Sequence, residues 1–183
     1  MMIRFKSLSI VLCILFCLGF STAFASGGHG QDVEKKTGIL LVAFGSSEDS
    51  AQVSFKNIDK KVKAAYPGIP VRWAYTSHII RHKLAKQGKV LDSPEVALSK
   101  MMDEKFTHVA VQSLHVVPGA EFNQVRSLVR ARQDDPRGGF CQILVGGPLL
   151  TSNEDTRLAA EAVARHAPDR RQPGEAVVYM GHG

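Results

Sequence analysis

The residues of this sequence best suited to chemistry are histidines and a glutamate that follow predicted strands. His182 follows the apolar residues 176–180 and is flanked by glycines, which would let a metal ion or a large planar ligand approach the backbone closely. A neutral imidazole is a good ligand for borderline divalent ions such as cobalt, nickel, iron and zinc. Glu121 follows the turn residues Pro118 and Gly119. We therefore treat His182 as a candidate metal ligand and Glu121 as a candidate acidic partner.

Each of these side chains also has a purely structural interpretation. His182 could be a terminal histidine without a role, and Glu121 could be an acid that only favours the dipole of a helix N-terminus. His115 ends a predicted strand and could be a capped residue at the edge of the core. His78 and His82 share a helix face, where such a pair can bind metal or simply face solvent.

Several common catalytic and binding motifs are absent from the sequence. The first predicted strand is followed by Gly45, Ser46 and Ser47, so neither a Gly-x-Gly-x-x-Gly motif nor a Walker loop is present to hold phosphates. Gly-x-Ser-x-Gly and Cys-x-x-Cys are absent too, which disfavours an α/β hydrolase and a structural zinc site. The net charge of +6 is too small and too dispersed to predict nucleic-acid binding.

Short apolar runs alternate with amphipathic stretches from Thr37 onward. The pattern predicts strands at residues 38–44, 71–76, 108–114, 142–145 and 175–180, with helices at about 49–66, from 78, 94–105, 121–132 and 154–166. Inward-facing apolar residues are expected in the first helix (Val53, Ile58, Val62) and in the last (Leu158, Val163).

This alternation predicts an α/β fold, a three-layer doubly wound parallel sheet. Ligands of such folds bind beyond the carboxyl ends of the strands. That rule places one set of loop residues along a single edge: Ser46, Ser77, His78, His115 to Glu121, Gly147 and His182.

The N-terminus has the pattern of a cleavable secretory signal. Arg4 and Lys6 precede an uncharged apolar run at residues 8–20, and small residues stand at the expected cleavage positions before Ser26. We expect residues 1–25 to be a signal peptide that directs export to the periplasm, and residues 26–36 to be a flexible leader. Only Cys141 would remain after cleavage, which excludes an internal disulfide.

Residues 39–46 and 176–182 share a plan of apolar strand, bulky residue, glycine and polar residue. This similarity suggests an internal repeat. We therefore expect an α/β lobe at residues 37–172, and at residues 173–183 the first strand and the histidine of a second lobe that is otherwise absent from the sequence.

The segments at the strand ends resemble the anaerobic, single-subunit sirohydrochlorin cobaltochelatases of the class II chelatase superfamily. They occur in the order of that family: Leu40-Leu-Val-Ala-Phe-Gly-Ser46, Thr76-Ser77 with Ile79-Ile-Arg81, Gln112-Ser-Leu-His115, Gly119-Ala-Glu121-Phe, Gly147-Pro-Leu-Leu150 and Met180-Gly-His-Gly183.

The resemblance implies two α/β lobes with the active site between them, and insertion of cobalt(II) into the tetrapyrrole sirohydrochlorin without ATP. His182 matches the family's first metal-binding and catalytic histidine, and Glu121 matches its acidic site residue. The second metal histidine of the family would lie beyond Gly183. Substrate contacts are expected from Ser46, Ser77, His115 and Arg81.

Other functions fit the same residues. Iron(II) could enter the same ring, because imidazole and carboxylate ligands separate iron(II) from cobalt(II) poorly. A non-enzymatic periplasmic carrier could bind metal or haem through solvent-facing histidines such as His29, His78 or His82. The chain could also be an inactive half-protein, and a homo-oligomer is compatible with each of these readings.

Overall fold

Four parallel strands form the centre of the fold. The structure is a computed structural model that describes residues 34–133, 135, 139–167, 170 and 172–179. The strands are β1 (Thr37–Ala43), β2 (Val71–Tyr75), β3 (His108–Ser113) and β4 (Gln142–Gly146), in the order β2-β1-β3-β4. Every residue of β1 after Thr37 is buried, as its continuous apolar run predicts for a strand covered on both faces.

Five helices connect or follow these strands in the part of the chain that the structure describes. They are α1 (Asp49–Ala65), α2 (His78–Ala85), α3 (Pro94–Asp103), α4 (Ala120–Gln133) and α5 (Asn153–Ala164). None of the helices in the described residues has the length and apolar character that crossing a membrane requires. The strand order with these crossovers confirms the predicted doubly wound parallel sheet.

One face of the sheet carries the main core. Leu40 and Val42 of β1 pack in one cluster with apolar residues of α3 and α4, and this cluster also includes Val111 and Ile143 of the neighbouring strands. Gly38 brings β1 against α3, because a Cβ at this position would lie 2.7 Å from Met101 Cε and from Phe106. The helices α3 and α4 therefore hold the strand ends in place.

Truncation of Leu98, a fully buried residue of α3, tests how strongly this core stabilises the fold. Leu98→Ala should lower the free energy of unfolding by about 2–5 kcal/mol, because it removes buried methyl groups and leaves a cavity. Urea unfolding followed by circular dichroism measures the change. Val96→Ala on the same helix is the matched control, since Val96 is exposed and its truncation should cost far less. Equal losses for the two variants would contradict the assigned core.

The helix α1 lies on the opposite face of the sheet. Phe55 packs edge-on against Trp73 and Tyr75, with ring centroids 5.7 and 5.9 Å apart, and the Trp73 indole donates to Asp59 Oδ1 at 3.0 Å. These contacts anchor α1 to β2. Ile58 and Val62 are half-buried as predicted, whereas Val53 is 57% exposed and the prediction for it was wrong.

The prediction that α5 buries Leu158 and Val163 was also wrong. Both side chains are about half exposed, and no residue of α5 is buried. Amphipathic spacing shows which residues share a helix face, but it does not show whether another element covers that face. The exposed side chains of Ala110 and Leu144 on the neighbouring strands indicate that this part of the sheet is open within the described residues.

The predicted fifth strand at residues 175–180 is not formed over its described part. Residues 175–179 pair with none of the described strands, and Val178 is 87% exposed. An apolar run needs a hydrogen-bonding neighbour to become a strand, and none lies beside it among the described residues. The second lobe stays a prediction.

Two N-terminal predictions fall mainly outside the described residues. The signal peptide, residues 1–25, lies outside them entirely, and of the leader only residues 34–36 are described. Lys36, at the end of that leader, is not free: its backbone N–H donates to Thr107 Oγ1 at 2.9 Å and its ammonium donates to the carbonyl of Glu104. Lys36 is therefore tied to the segment that links α3 to β3.

Candidate functional site

The carboxyl ends of β2 and β3 bring together an imidazole and two hydroxyl groups. Thr76 Oγ1 lies 3.2 Å from His115 Nε2, and Ser113 Oγ lies 2.9 Å from His115 Nδ1. Thr76 directly follows β2 and Ser113 ends β3, while β1 lies between these two strands. Because all three strands are parallel, their carboxyl ends meet at one edge and place these side chains side by side.

Both ring nitrogens of His115 are engaged by hydroxyl groups. A hydroxyl can donate or accept, so this arrangement suits the neutral ring, in which one nitrogen donates and the other accepts. Burial lowers the pKa of His115 below its usual value of 6.5, and the carboxylate of Glu121 opposes this shift. His115 is therefore held as a neutral imidazole at pH 7, in the form that accepts a proton.

Glu121 lies in the first turn of α4, close enough for its charge to act on His115. The preceding Gly119 has no side chain, and its carbonyl accepts the helical hydrogen bond from Asn123 N at 3.0 Å. A Cβ at Gly119 would lie 3.8 Å from Glu121 Oε2, so the carboxylate lies over the loop that leads into the helix. In this half-buried position the negative charge of Glu121 interacts favourably with the dipole of α4. The carboxylate also lies at the strand-end edge, the edge of the sheet where the carboxyl ends of the strands meet.

The predicted contact residues Ser46 and Ser77 have structural roles in the fold. Ser46 Oγ accepts from the N–H of Glu48 at 3.1 Å, in the loop that leads into α1. Ser77 Oγ caps α2 by accepting from Ile80 N at 3.3 Å, and the residue is only 7% exposed. Direct contact of these two hydroxyls with a substrate stays a prediction.

Arg81 lies beside Thr76 at a polar cleft of about 190 Å³. Its guanidinium donates to the carbonyl of Tyr75 at 2.8 Å, which holds the half-buried side chain against the end of β2. The cleft is also lined by two polar residues that were not selected from the sequence, Glu95 near the start of α3 and Gln124 in the first half of α4. The positions of these two side chains depend on how α3 and α4 pack together, which cannot be predicted from a short segment of sequence.

The roles of Thr76 and Ser113 as partners of His115 were also missed from the sequence. The only signal was that both are hydroxyl residues at the ends of predicted strands. Across the same edge, Leu149 N donates to the carbonyl of His115 at 2.9 Å, and Leu150 N donates to that of Val116 at 2.8 Å. The loop after β4 thereby supports the loop that carries His115.

The lowered pKa of His115 predicts a pH dependence of stability. The unfolded chain binds a proton near pH 6.5 more readily than the folded chain, so this contribution to stability is present above about pH 6.5 and is lost as pH falls through the folded pKa. We expect the wild type to lose more stability between pH 7 and pH 5 than His115→Gln. Urea midpoints at both pH values measure the difference. Parallel losses in the two proteins would contradict a buried neutral imidazole.

A complete metal site is not present among the described residues. They contain no group of three or more His, Cys, Asp and Glu side chains that could hold a metal ion. His182, the candidate metal ligand, lies outside the described residues. What the described edge offers is a neutral imidazole, a carboxylate and a guanidinium, which can accept protons and bind an anionic ligand.

Comparison with known proteins identifies the family of this chain. Residues 37–183 match the family model for cobalt chelatase (CbiK). The chain is 49% identical over 149 residues to the sirohydrochlorin cobaltochelatase CbiKC of Nitratidesulfovibrio vulgaris, covering 81% of this chain and 52% of that protein. It is 32% identical over 150 residues to the sirohydrochlorin cobaltochelatase of Salmonella typhimurium, covering 81% of this chain and 55% of that protein.

The chain thus spans about half the length of these two curated relatives. The family match nevertheless extends from the first residue of β1 through the segment that contains His182. The predicted resemblance is confirmed, and the chain belongs to the cobalt chelatase family.

Proposed function

We propose that this protein acts in the insertion of cobalt(II) into sirohydrochlorin. The family match over residues 37–183 carries this proposal, since both curated relatives bear the name of that activity. The grouping of His115, Thr76 and Ser113 at the strand-end edge, with Glu121 nearby, adds chemical support. The chain covers about half of each relative, so the activity of the whole protein is the proposal to be tested.

Metal insertion requires proton acceptors rather than redox chemistry. One divalent ion enters the ring and two pyrrole protons leave, so charge and atoms balance without ATP or an oxidant. In our proposal His182 binds the incoming ion, and ionised Glu121 shares metal delivery and accepts a proton. In the same proposal neutral His115, held by its two hydroxyl partners, passes a proton away from the site.

The substrate is a polycarboxylate, so cationic side chains at the same edge favour its binding. Arg81 is fixed beside the cleft, and Lys83 donates to Ser47 Oγ at 2.8 Å at the end of the loop after β1. Arg126, on the exposed side of α4, is a further candidate. We expect Arg81 to contact a ring carboxylate, because its planar guanidinium can bind it with two hydrogen bonds.

We also propose that the protein is exported. The basic start, the uncharged apolar run at residues 8–20 and the small residues before Ser26 support cleavage after residue 25 and a periplasmic location. N-terminal sequencing of the protein from its native cell would give Ser26 as the first residue. A mature protein that begins at Met1, found in the soluble cell interior, would overturn this proposal.

The proposed activity is tested by the loss of the free-ring absorbance of sirohydrochlorin on addition of cobalt(II). This protein should make the absorbance fall faster than the uncatalysed reaction does. The N. vulgaris relative serves as the positive control. A parallel reaction with iron(II) measures whether the same site accepts the other ion. If neither ion changes the absorbance faster with this protein than without it, while the relative is active, the proposal fails for this chain.

A further inference from the structure

Two exposed histidines lie one turn apart on α2. His78 is the first residue of the helix and His82 is the fifth, so they share one face of it. Residues at this spacing have Cβ atoms about 5–6 Å apart, which lets both imidazoles reach one ion. Within the described part of the chain neither ring has a hydrogen-bond or ion-pair partner, and both are exposed. Their nitrogen lone pairs are therefore available.

The other described histidines differ from this pair. His115 bonds two hydroxyls, and His108 Nδ1 lies 2.9 Å from Thr107 Oγ1. His166 is exposed but follows α5, far in sequence from another described histidine. Among the described histidines, only His78 and His82 combine exposure with chelating spacing.

The helix that carries the pair is held firmly at several points. Ser77 caps its N-terminus, and Leu84 anchors it in the protein interior at 4% exposure. Arg81 donates to the carbonyl of Tyr75, and Lys83 donates to Ser47 Oγ, so two side chains tie α2 to the end of β2 and to the loop after β1. A rigid helix keeps the relative placement of the two imidazoles and lowers the entropy lost on chelation.

We propose that His78 and His82 chelate one divalent transition-metal ion on the surface of α2, beside the strand-end edge. The imidazoles supply two nitrogen ligands, and water fills the remaining coordination positions. By the usual order of divalent affinities, copper(II) should bind more tightly than nickel(II), and nickel(II) more tightly than cobalt(II).

The charge around the pair makes this a site of exchangeable ions. The helix contains no carboxylate, and Arg81, Lys83 and Lys86 lie within it or at its end. These cations repel a bound divalent ion, while the two-point chelation retains it. Such a site suits transient capture of a metal ion next to the cleft. This role rests on the proposed metal insertion, whereas metal binding by the two histidines does not depend on it.

Metal binding to the complete chain tests the site without any tetrapyrrole. Equilibrium dialysis with nickel(II), and with copper(II), gives the number of bound ions for the wild type, His78→Ala, His82→Ala and the double variant. Each single variant should lose one equivalent, and the double variant should lose no more than either, because removing one histidine already destroys the chelate. His166→Ala is the matched control and should lose nothing from this site. Ions bound by other residues of the chain do not affect this comparison, because those residues are the same in the wild type and in all three variants.

A shifted pair provides a second test. His78→Ala combined with Lys86→His restores the one-turn spacing with His82, and should recover the lost equivalent. His78→Ala combined with Lys83→His puts the imidazoles on adjacent residues that do not face each other, and should not recover it. Full binding by the two single variants, or equal behaviour of the two shifted variants, would overturn the chelate. If the chelate is overturned but the protein still inserts cobalt into the ring, the proposed function is retained.

Discussion

Replacing His182 with alanine is expected to lower cobalt insertion by more than about a hundredfold. Loss of even a residue that only orients a metal ligand typically costs about 10–100-fold in metal affinity or activity, and a direct ligand should cost more. The measured quantity is the initial rate of loss of sirohydrochlorin absorbance at saturating ring and limiting cobalt. Raising the cobalt concentration should restore part of the rate if the lost function is metal binding.

The control for His182 is a histidine outside the proposed site. His166 is exposed and follows α5, so His166→Ala should keep the wild-type rate. Binding of the free ring by His182→Ala, followed as quenching of its fluorescence, should stay within about twofold of the wild type, because the ring carboxylates are bound elsewhere. A wild-type insertion rate in His182→Ala would remove this residue from the mechanism.

Glu121→Gln is expected to lower the insertion rate by about 10²–10⁴-fold, the usual contribution of a positioned acid or base. Glutamine keeps the shape of the side chain but neither carries the charge nor accepts a proton at neutral pH. The apparent affinity for the ring should change little.

A second glutamate separates this catalytic role from the helix dipole. Glu154 is likewise in the first turn of a helix, α5, and is exposed. Glu154→Gln should lower stability only slightly, because it removes a charge that favours the helix dipole and pairs with Arg157 on the exposed surface, and it should have no effect on the insertion rate. If Glu121→Gln matches Glu154→Gln in both measurements, Glu121 is only a residue that favours its helix.

Most secondary structure of the described residues follows from local sequence. The residues Ser93, Pro94 and Glu95 predict a helix start, and the structure begins α3 at Pro94 with Ser93 Oγ accepting from Val96 N at 3.3 Å. The uninterrupted apolar run of β1 predicts a strand covered on both faces, and it is buried. These features could be predicted because capping and burial on both faces each leave a signature in a few consecutive residues.

Other features could not be read from consecutive residues. Val53 and Leu158 have the spacing of inward-facing residues, yet both are about half exposed. Residues 175–179 have the composition of a strand but pair with none of the described strands. In each case the sequence pattern shows that a helix face could be buried or that a segment could pair as a strand. Whether a partner lies there depends on elements elsewhere in the fold.

The sequence by itself determined the parallel α/β architecture, the family, and the selection of His115 and Glu121 as candidates at the ends of strands. Only the tertiary structure decided that His115 lies between Thr76 and Ser113, and that Ser46 Oγ accepts from the N–H of Glu48 in the loop before α1. Thr76 and His115 are 39 residues apart and meet because β2 and β3 flank β1 in parallel. That contact depends on strand order and on the packing of α3 and α4, which are long-range properties that no short motif encodes.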